Sequence, residues 1–146
     1  MSEVSTTIDI DAPVEAVWKL VMDPRRLEEW VTIHRRLISH EDDEMVQMLH
    51  LRGANFKVHW HLDKSKAPTH AIWKGRGPAR SHAETEYRLA DNGKGGTHFD
   101  YRNEFKAPLG PLGAVASRAL VGGQPRTQAD ASLRKLKALA EKEARG

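Results

Sequence analysis

A chain of 146 residues, 39% of them hydrophobic, is long enough for a real core, and no shift in composition marks a second unit, so a single domain over 1–146 is expected. It contains no cysteine, which excludes disulfides, thiolate metal sites and a cysteine nucleophile. The net charge of +3 and pI near 9.3 come from Lys and Arg alternating with Asp and Glu, a mixed solvated surface that does not make nucleic acid an expected partner.

Met1 to Ile10 is short, polar and acidic, unlike a secretory leader. The longest apolar stretch, Leu112–Val121, is interrupted by Arg118 and too short to span a bilayer. A cytoplasmic protein without an integral membrane segment is therefore expected. Val4, Thr6, Ile8 and Ile10 alternate with Ser5, Thr7 and Asp9, which predicts a first strand. Asp11-Ala12-Pro13 then opens a helix with Val14, Val17, Trp18 and Val21 as its buried stripe. Asp23 is placed to cap a second, short helix opened by Pro24, with Leu27 and Trp30 as its apolar residues.

From Thr32 the pattern turns to strands. Ile33 to His40 alternates poorly because Arg35 and Arg36 interrupt it, and Met45 to Leu51 is apolar on both parities. Phe56, Val58, Trp60 and Leu62 share one face of the next strand, against Lys57, His59, His61 and Asp63. Lys64 to Pro68 reads as a loop, Thr69 to Lys74 as a strand with Ile72 and Trp73, and Gly75-Arg76-Gly77-Pro78 as its break. Ala83, Thr85, Tyr87 and Leu89 oppose Arg80, His82, Glu84, Glu86 and Arg88. Asp91–Gly96 is a hairpin loop, and the returning strand sets Thr97, Phe99, Tyr101, Asn103 and Phe105 against His98, Asp100, Arg102 and Glu104. One sheet face is thus aromatic with a few uncharged polar groups. The other is charged and expected to be wet, with Glu84, Glu86, Asp100 and Glu104 pairing with Arg80, Arg88, Arg102 and Lys106.

The last third supplies a cover for the apolar face. Leu112, Val115, Ala116, Ala119 and Leu120 fall at helical spacing, Gly122-Gly123-Gln124-Pro125 breaks the pattern, and Ala129, Leu133, Leu136 and Ala140 resume it with Leu139 beside them. Asp130, Arg134, Lys137 and Glu141 take the opposite face. The expected fold is α+β: a curved antiparallel β-sheet wrapped around a long C-terminal α-helix, with two short helices after the first strand.

The string Ile8-Asp9-Ile10-Asp11-Ala12-Pro13-Val14-Glu15-Ala16-Val17-Trp18, with Asp23-Pro24 and Trp30 after it, resembles the opening of the START-like (SRPBCC, Bet v 1-like) superfamily. More narrowly it resembles the bacterial polyketide cyclase/dehydrase and lipid-transport group. Gly75–Pro78 and Leu133-Arg134-Lys135-Leu136-Lys137 are similar to later landmarks of that group. The resemblance implies a helix-grip fold with a cavity between sheet and last helix, where members hold lipids, sterols, polyketides or hormones and some catalyse cyclisation or dehydration. Two departures stand out. Trp30 is followed by Val31-Thr32-Ile33-His34, where many members have a proline, and the break at Gly122–Pro125 interrupts the last helix.

An apolar pocket with a few convergent polar groups is the usual form of a small-molecule site. The expected ligand-binding residues are Phe56, Val58, Trp60, Trp73, Thr85, Tyr87, Phe99, Tyr101, Asn103, Leu112 and Ala116. The expected partner is a small hydrophobic or amphipathic ligand, lipid-like or polyketide-like, and Gly122–Pro125 is read as a gate to its cavity. No nucleophile sits beside a base and no paired carboxylates face inward, so a binding protein is expected rather than an enzyme. The alternative is an aromatase/cyclase- or dehydratase-type enzyme in which Tyr101 and Asn103 polarise a carbonyl. A third reading is a protein or nucleic-acid interaction module using the basic surface. His59 and His61 share a strand face but lack a metal motif, and neither Gly93–Gly96 nor Gly110–Gly113 has the features that cradle phosphate. No metal or cofactor is expected, and nothing in the sequence sets an oligomeric state.

Overall fold

The computed structural model describes residues 2–51, 53–106 and 125–146. In chain order these form β1 (Ser2–Ile10), α1 (Val14–Val21), a 3-10 turn (Pro24–Arg26), α2 (Leu27–Trp30), β2 (His34–Glu41), β3 (Glu44–Leu51), β4 (Ala54–Lys66), β5 (His70–Arg76), β6 (His82–Asp91), β7 (Thr97–Lys106) and α3 (Arg126–Arg145). The strands make one curved antiparallel sheet in the order β1-β7-β6-β5-β4-β3-β2, and α3 lies against its concave face in a helix grip. Leu112, Ala116, the stripe over Leu112–Val121, the Gly110–Gly113 bend and Gly122–Gln124 lie outside the described residues.

The local rules explain most of these boundaries. Asp23 accepts a hydrogen bond from the Arg25 backbone N–H, and Pro24 follows at the first helical position. In the β6–β7 hairpin, Asn92 Oδ1 accepts from the N–H groups of Lys94 and Gly96, while Gly93 and Gly95 take positive φ. β2 carries two register irregularities, between His34 and Arg36 and between Leu37 and Ser39. Each shifts the period of two, which is why no clean alternation runs through Ile33–His40. β3 takes its parity from β4: Met45 lies opposite Trp60, Gln47 opposite Val58 and Leu49 opposite Phe56, so these face inward. β4 runs on to Lys66 where the sequence suggested a loop, because Lys64, Ser65 and Lys66, themselves exposed, pair with Ile72, Ala71 and His70 of β5.

α3 is seated by both kinds of contact. Ala129, Leu133, Leu136 and Ala140 are buried in the core with Phe99, Leu89 and Val17. The face expected to meet solvent is largely occupied. Asp130 accepts from Thr6 Oγ1 at 2.6 Å, Lys137 Nζ donates to the Asp9 carbonyl at 2.9 Å, and Glu141 accepts from the Asp11 backbone N–H at 2.8 Å. On the other flank Thr32 bonds Gln128 and Ser132, and Arg26 pairs with Glu143. Of the four residues assigned to solvent, only Arg134 is exposed. Long polar side chains reach sideways from a helix lying in a sheet, so a polar residue there need not point at water.

The outer sheet face holds a second correction. Glu86 is 8% exposed, not wet. His70 Nε2 lies 2.5 Å from it, Arg102 Nε 3.0 Å and Arg88 3.0 Å, and Arg102 also pairs with Glu84 and Glu104. Lys106 pairs with Glu104 and Asp100 with His98. Burial raises the Glu86 carboxyl pKa, but the bonds from His70 and Arg102 and the charge of Arg88 outweigh it and leave the group below its ordinary 4.5.

Two outcomes test this account. A carboxyl whose folded pKa is depressed stabilises the fold above its unfolded value, and that stability is lost as pH falls through the folded value. Wild type is therefore expected to lose stability below about pH 4.5 more steeply than Glu86→Gln, read by urea midpoints across a pH series. At Gly75 a Cβ would come within 2.8 Å of Cε3 and Cζ3 of Trp60 and 3.0 Å of Val58. Gly75→Ala is expected to cost about 1–3 kcal/mol by urea unfolding and to alter the near-ultraviolet signal of the displaced indole.

Candidate functional site

The alternation of β3 to β7 delivers one inward row of side chains per strand, and α1, α2 and α3 close over them. Between these layers lies a cavity of about 70 Å³. β3 contributes Met45, Gln47 and Leu49, β4 and β5 contribute Trp60 and Trp73, and β6 and β7 contribute Thr85, Tyr87, Tyr101 and Asn103. The two short helices and the turn after them add Val21, Leu27, Trp30 and Val31; α3 adds Ala129, Ser132 and Leu133. A second cavity of about 70 Å³ adjoins it. The two share Ile33, Leu49, Trp60 and Asn103, and the second is completed by Phe56, Val58, Phe105 and the Gly77–Ser81 turn. A water molecule needs roughly 10–15 Å³ by this kind of measure, and about 150 Å³ holds benzene. Each cavity thus has room for a few waters, and the two together approach the size of a one-ring guest.

The structure brings together Trp60, Trp73, Thr85, Tyr87, Tyr101 and Asn103 on the first cavity and Phe56 and Val58 on the second. Phe99 lines neither. It is 0% exposed, and its ring centroid lies 5.6 Å from that of Tyr87, on which it packs. Tyr87 in turn stacks on Tyr101 at 6.1 Å and meets Trp30 at 6.1 Å in a tilted pair. These rings form a rigid wall between core and cavity.

The polar groups at the cavity are mostly engaged. Trp60 Nε1 donates to Gln47 Oε1 at 2.9 Å, and Gln47 Nε2 lies 2.8 Å from His34 Nδ1. With the amide donating, His34 Nδ1 accepts, as a neutral imidazole does. Burial favours that form, holding the His34 pKa below 6.5 against the opposing charge of Glu28. Asn103 Nδ2 donates to Thr85 Oγ1 at 2.9 Å, and Asn103 also bonds the Tyr101 hydroxyl. Burial drives both tyrosine hydroxyls well above 10, with Asn103 opposing the rise at Tyr101. Both are therefore hydrogen-bonding groups at neutral pH, and neither is a ready base.

Gln47, Trp30 and Ser132 belong to this wall and were not among the ligand-binding residues expected from the sequence. Gln47 is the polar member of a strand apolar on both parities, so its side was undecided until register with β4 fixed it. A signal did exist: an inward Trp60 needs an acceptor for its N–H, and a nearby inward amide supplies one. His59 is exposed, and His61 Nδ1 lies 2.7 Å from Glu44 on the outer face. Among the described residues no cluster of three or more His, Asp or Glu is placed to hold a metal ion, and no helix is long and apolar enough to cross a membrane.

Residues 1–141 match the family described as polyketide cyclase/dehydrase and lipid transport. A relative named toxin Rv0910, from Mycobacterium tuberculosis, is 27% identical over 127 residues, covering 82% of this chain and 88% of the relative. Two solved structures share the fold. One is a START superfamily protein from Mycobacterium smegmatis, at a TM-score of 0.67 and 14% identity over 99% of this chain and 98% of that one. The other is the Zhui aromatase/cyclase from a Streptomyces species, at 0.68 and 15% over 97% and 94%. Matched along nearly its whole length, the chain belongs to the polyketide cyclase/dehydrase and lipid transport family, and its helix grip is the START-like one.

Proposed function

We propose that this protein binds a small, largely apolar molecule in the cavity between the sheet and α3 and in the hollow that adjoins it along the sheet. Family membership supports a ligand-binding or cyclase-type role. The observation that carries the finer reading is the lining: aromatic and aliphatic side chains, with amide and hydroxyl groups held in pairs among them. Burial of apolar ligand area supplies affinity at about 25 cal/mol per Å², and the polar pairs set orientation. Fixed groups cost little to order on binding, which favours affinity in a small site.

A cyclase-type reading is supported by the Thr85–Asn103–Tyr101 group, where three polar side chains meet at the cavity. The interaction-module reading has less support. On the outer face Arg88, Arg102, Lys74 and Lys106 each pair with a carboxylate, giving neutralised pairs where a nucleic-acid surface would offer unpaired cations. The word toxin in the mycobacterial relative's name describes that protein; the reading here rests on the cavity.

Native mass spectrometry of the freshly purified protein, followed by extraction, is expected to reveal a non-covalent apolar guest. Val31 is half-buried and lines the first cavity, so Val31→Phe fills space at its edge without recutting the core. That variant is expected to keep its thermal midpoint and to lose affinity for the guest by about tenfold, roughly 1.4 kcal/mol. A wild-type protein that carries nothing and takes up no apolar probe would defeat the proposal.

A further inference from the structure

We infer that His34 is a proton-operated catch behind the cavity wall: the indole of Trp60 is pinned through Gln47 only while His34 is neutral, and protonating His34 releases it. This catch is a property of the wall and is independent of which guest the hollows take. Trp60 Nε1 donates to Gln47 Oε1 at 2.9 Å, and Gln47 Nε2 lies 2.8 Å from His34 Nδ1. Trp60 and Gln47 are both buried, and Trp60 lines both hollows. His34 lines neither and is half-buried at the start of β2, so a proton from solvent can reach the far end of the relay.

The direction of the relay is set by its first member. An indole N–H only donates, so the amide turns its oxygen to Trp60 and its NH₂ to His34, and Nδ1 has to accept. A protonated imidazole donates from both nitrogens. At the 2.8 Å contact that sets one donor against another, and the single oxygen of Gln47 is then sought from both ends. A hydrogen bond from a charged donor is roughly twice as strong as a neutral one. The oxygen therefore goes to His34, and Trp60 is left facing an NH₂ group. The other anchor of the indole is steric: its six-membered ring lies over Gly75, where a Cβ would meet Cε3 and Cζ3 at 2.8 Å. Gln47 fixes the opposite, N–H edge, and that edge is what protonation frees.

The charges around His34 leave its own proton as the control. β3, α2 and the 3-10 turn pack against β2. From α2, Glu28 draws the imidazolium form, while burial of the ring opposes it and prevails, so the proton arrives below the ordinary 6.5. Glu29 and Arg26 pair with each other, Arg26 also with Glu143, and Arg25 with Asp23. β3 turns the uncharged Gln47 and Leu49 inward, and its His50 is bonded to Asn55. On β2 itself Arg35 and Arg36 are exposed.

The full ¹⁵N-labelled chain is titrated between about pH 8 and 5, the range in which an imidazole changes charge, following the four tryptophan indole cross-peaks and the histidine ring protons. Trp60 is assigned from Trp60→Phe and His34 from His34→Asn. The Trp60 indole proton is expected to move upfield in one step, as a weakened hydrogen bond requires, at the midpoint of His34. His34→Asn keeps an acceptor near the place of Nδ1 and has no proton to take, so in it the step is expected to vanish. If either variant does not fold, the assignment comes from through-space couplings in wild type and the match of the two midpoints decides. His34 titrating while Trp60 stays still, or a Trp60 step that survives His34→Asn, overturns the inference. So does a His34 that takes no proton in this range, or a step shared by all four indoles, which would report unfolding.

Discussion

The seat of α3 is the contact on which the other features depend. A seven-stranded sheet with one aromatic face cannot leave that face in water, and among the described residues α3 is the long helix that covers it. Ala129, Leu133, Leu136 and Ala140 enter the concavity, and the small residues at the two ends of that stripe let the helix sit deep. Its depth is then fixed from both sides by polar contacts, to β1 through Asp130, Lys137 and Glu141 and to the α1–α2 side through Gln128, Ser132 and Glu143. Such contacts are individually modest, particularly where exposed. Their joint effect is geometric: a helix held at both flanks cannot slide down to fill the space above Trp60 and Trp73.

That space persists for a second reason, which lies in the strands. Packing to close density would need side chains free to turn inward. Here the rings are held in place: Trp60 by its bond to Gln47 and by the floor that Gly75 leaves open, Tyr87 by stacking on Tyr101 and Phe99. Tyr101 and Thr85 are tied through Asn103. A wall whose members are committed to one another keeps its shape when the space before it is empty. It also presents the same shape to any guest.

Much of this was legible in the sequence, and what was not has identifiable causes. β1, β4, β6 and β7 alternate strictly because one side is core and the other solvent, so Trp60, Tyr87, Tyr101 and Asn103 could be placed on one face without coordinates. The Asp23-Pro24 cap, the Asp91–Gly96 hairpin and the second half of the terminal stripe follow from local chemistry that tertiary contacts do not override. β2 was obscure because two irregularities break its period, and β3 because its parity is decided by a neighbour rather than by its own residues. Gln47 was hidden in that strand. Trp30 was read as an ordinary core residue, since nothing local says that its N–H will be left without an acceptor. Glu86 was assigned to water because period-two reasoning tells which side a residue takes, not how thickly Arg102, Arg88 and His70 will cover it.

The same wall bears on what chemistry the cavity can support. Cyclisation or dehydration of a carbonyl compound requires a group that removes a proton and a group that steadies the oxygen left negative. For the second, the Tyr87 hydroxyl, which burial keeps protonated, is a neutral donor on the cavity wall. For the first, the described lining of the first cavity offers no carboxylate or histidine. His34 stands one step back, behind Gln47, with its Nδ1 engaged and burial favouring its neutral form. A proton taken by His34 would have to pass through the amide of Gln47, which has no titrating site of its own near neutral pH. The described lining thus offers neutral groups that can hold a polarised carbonyl, which a binding site and a cyclase-type site would both use.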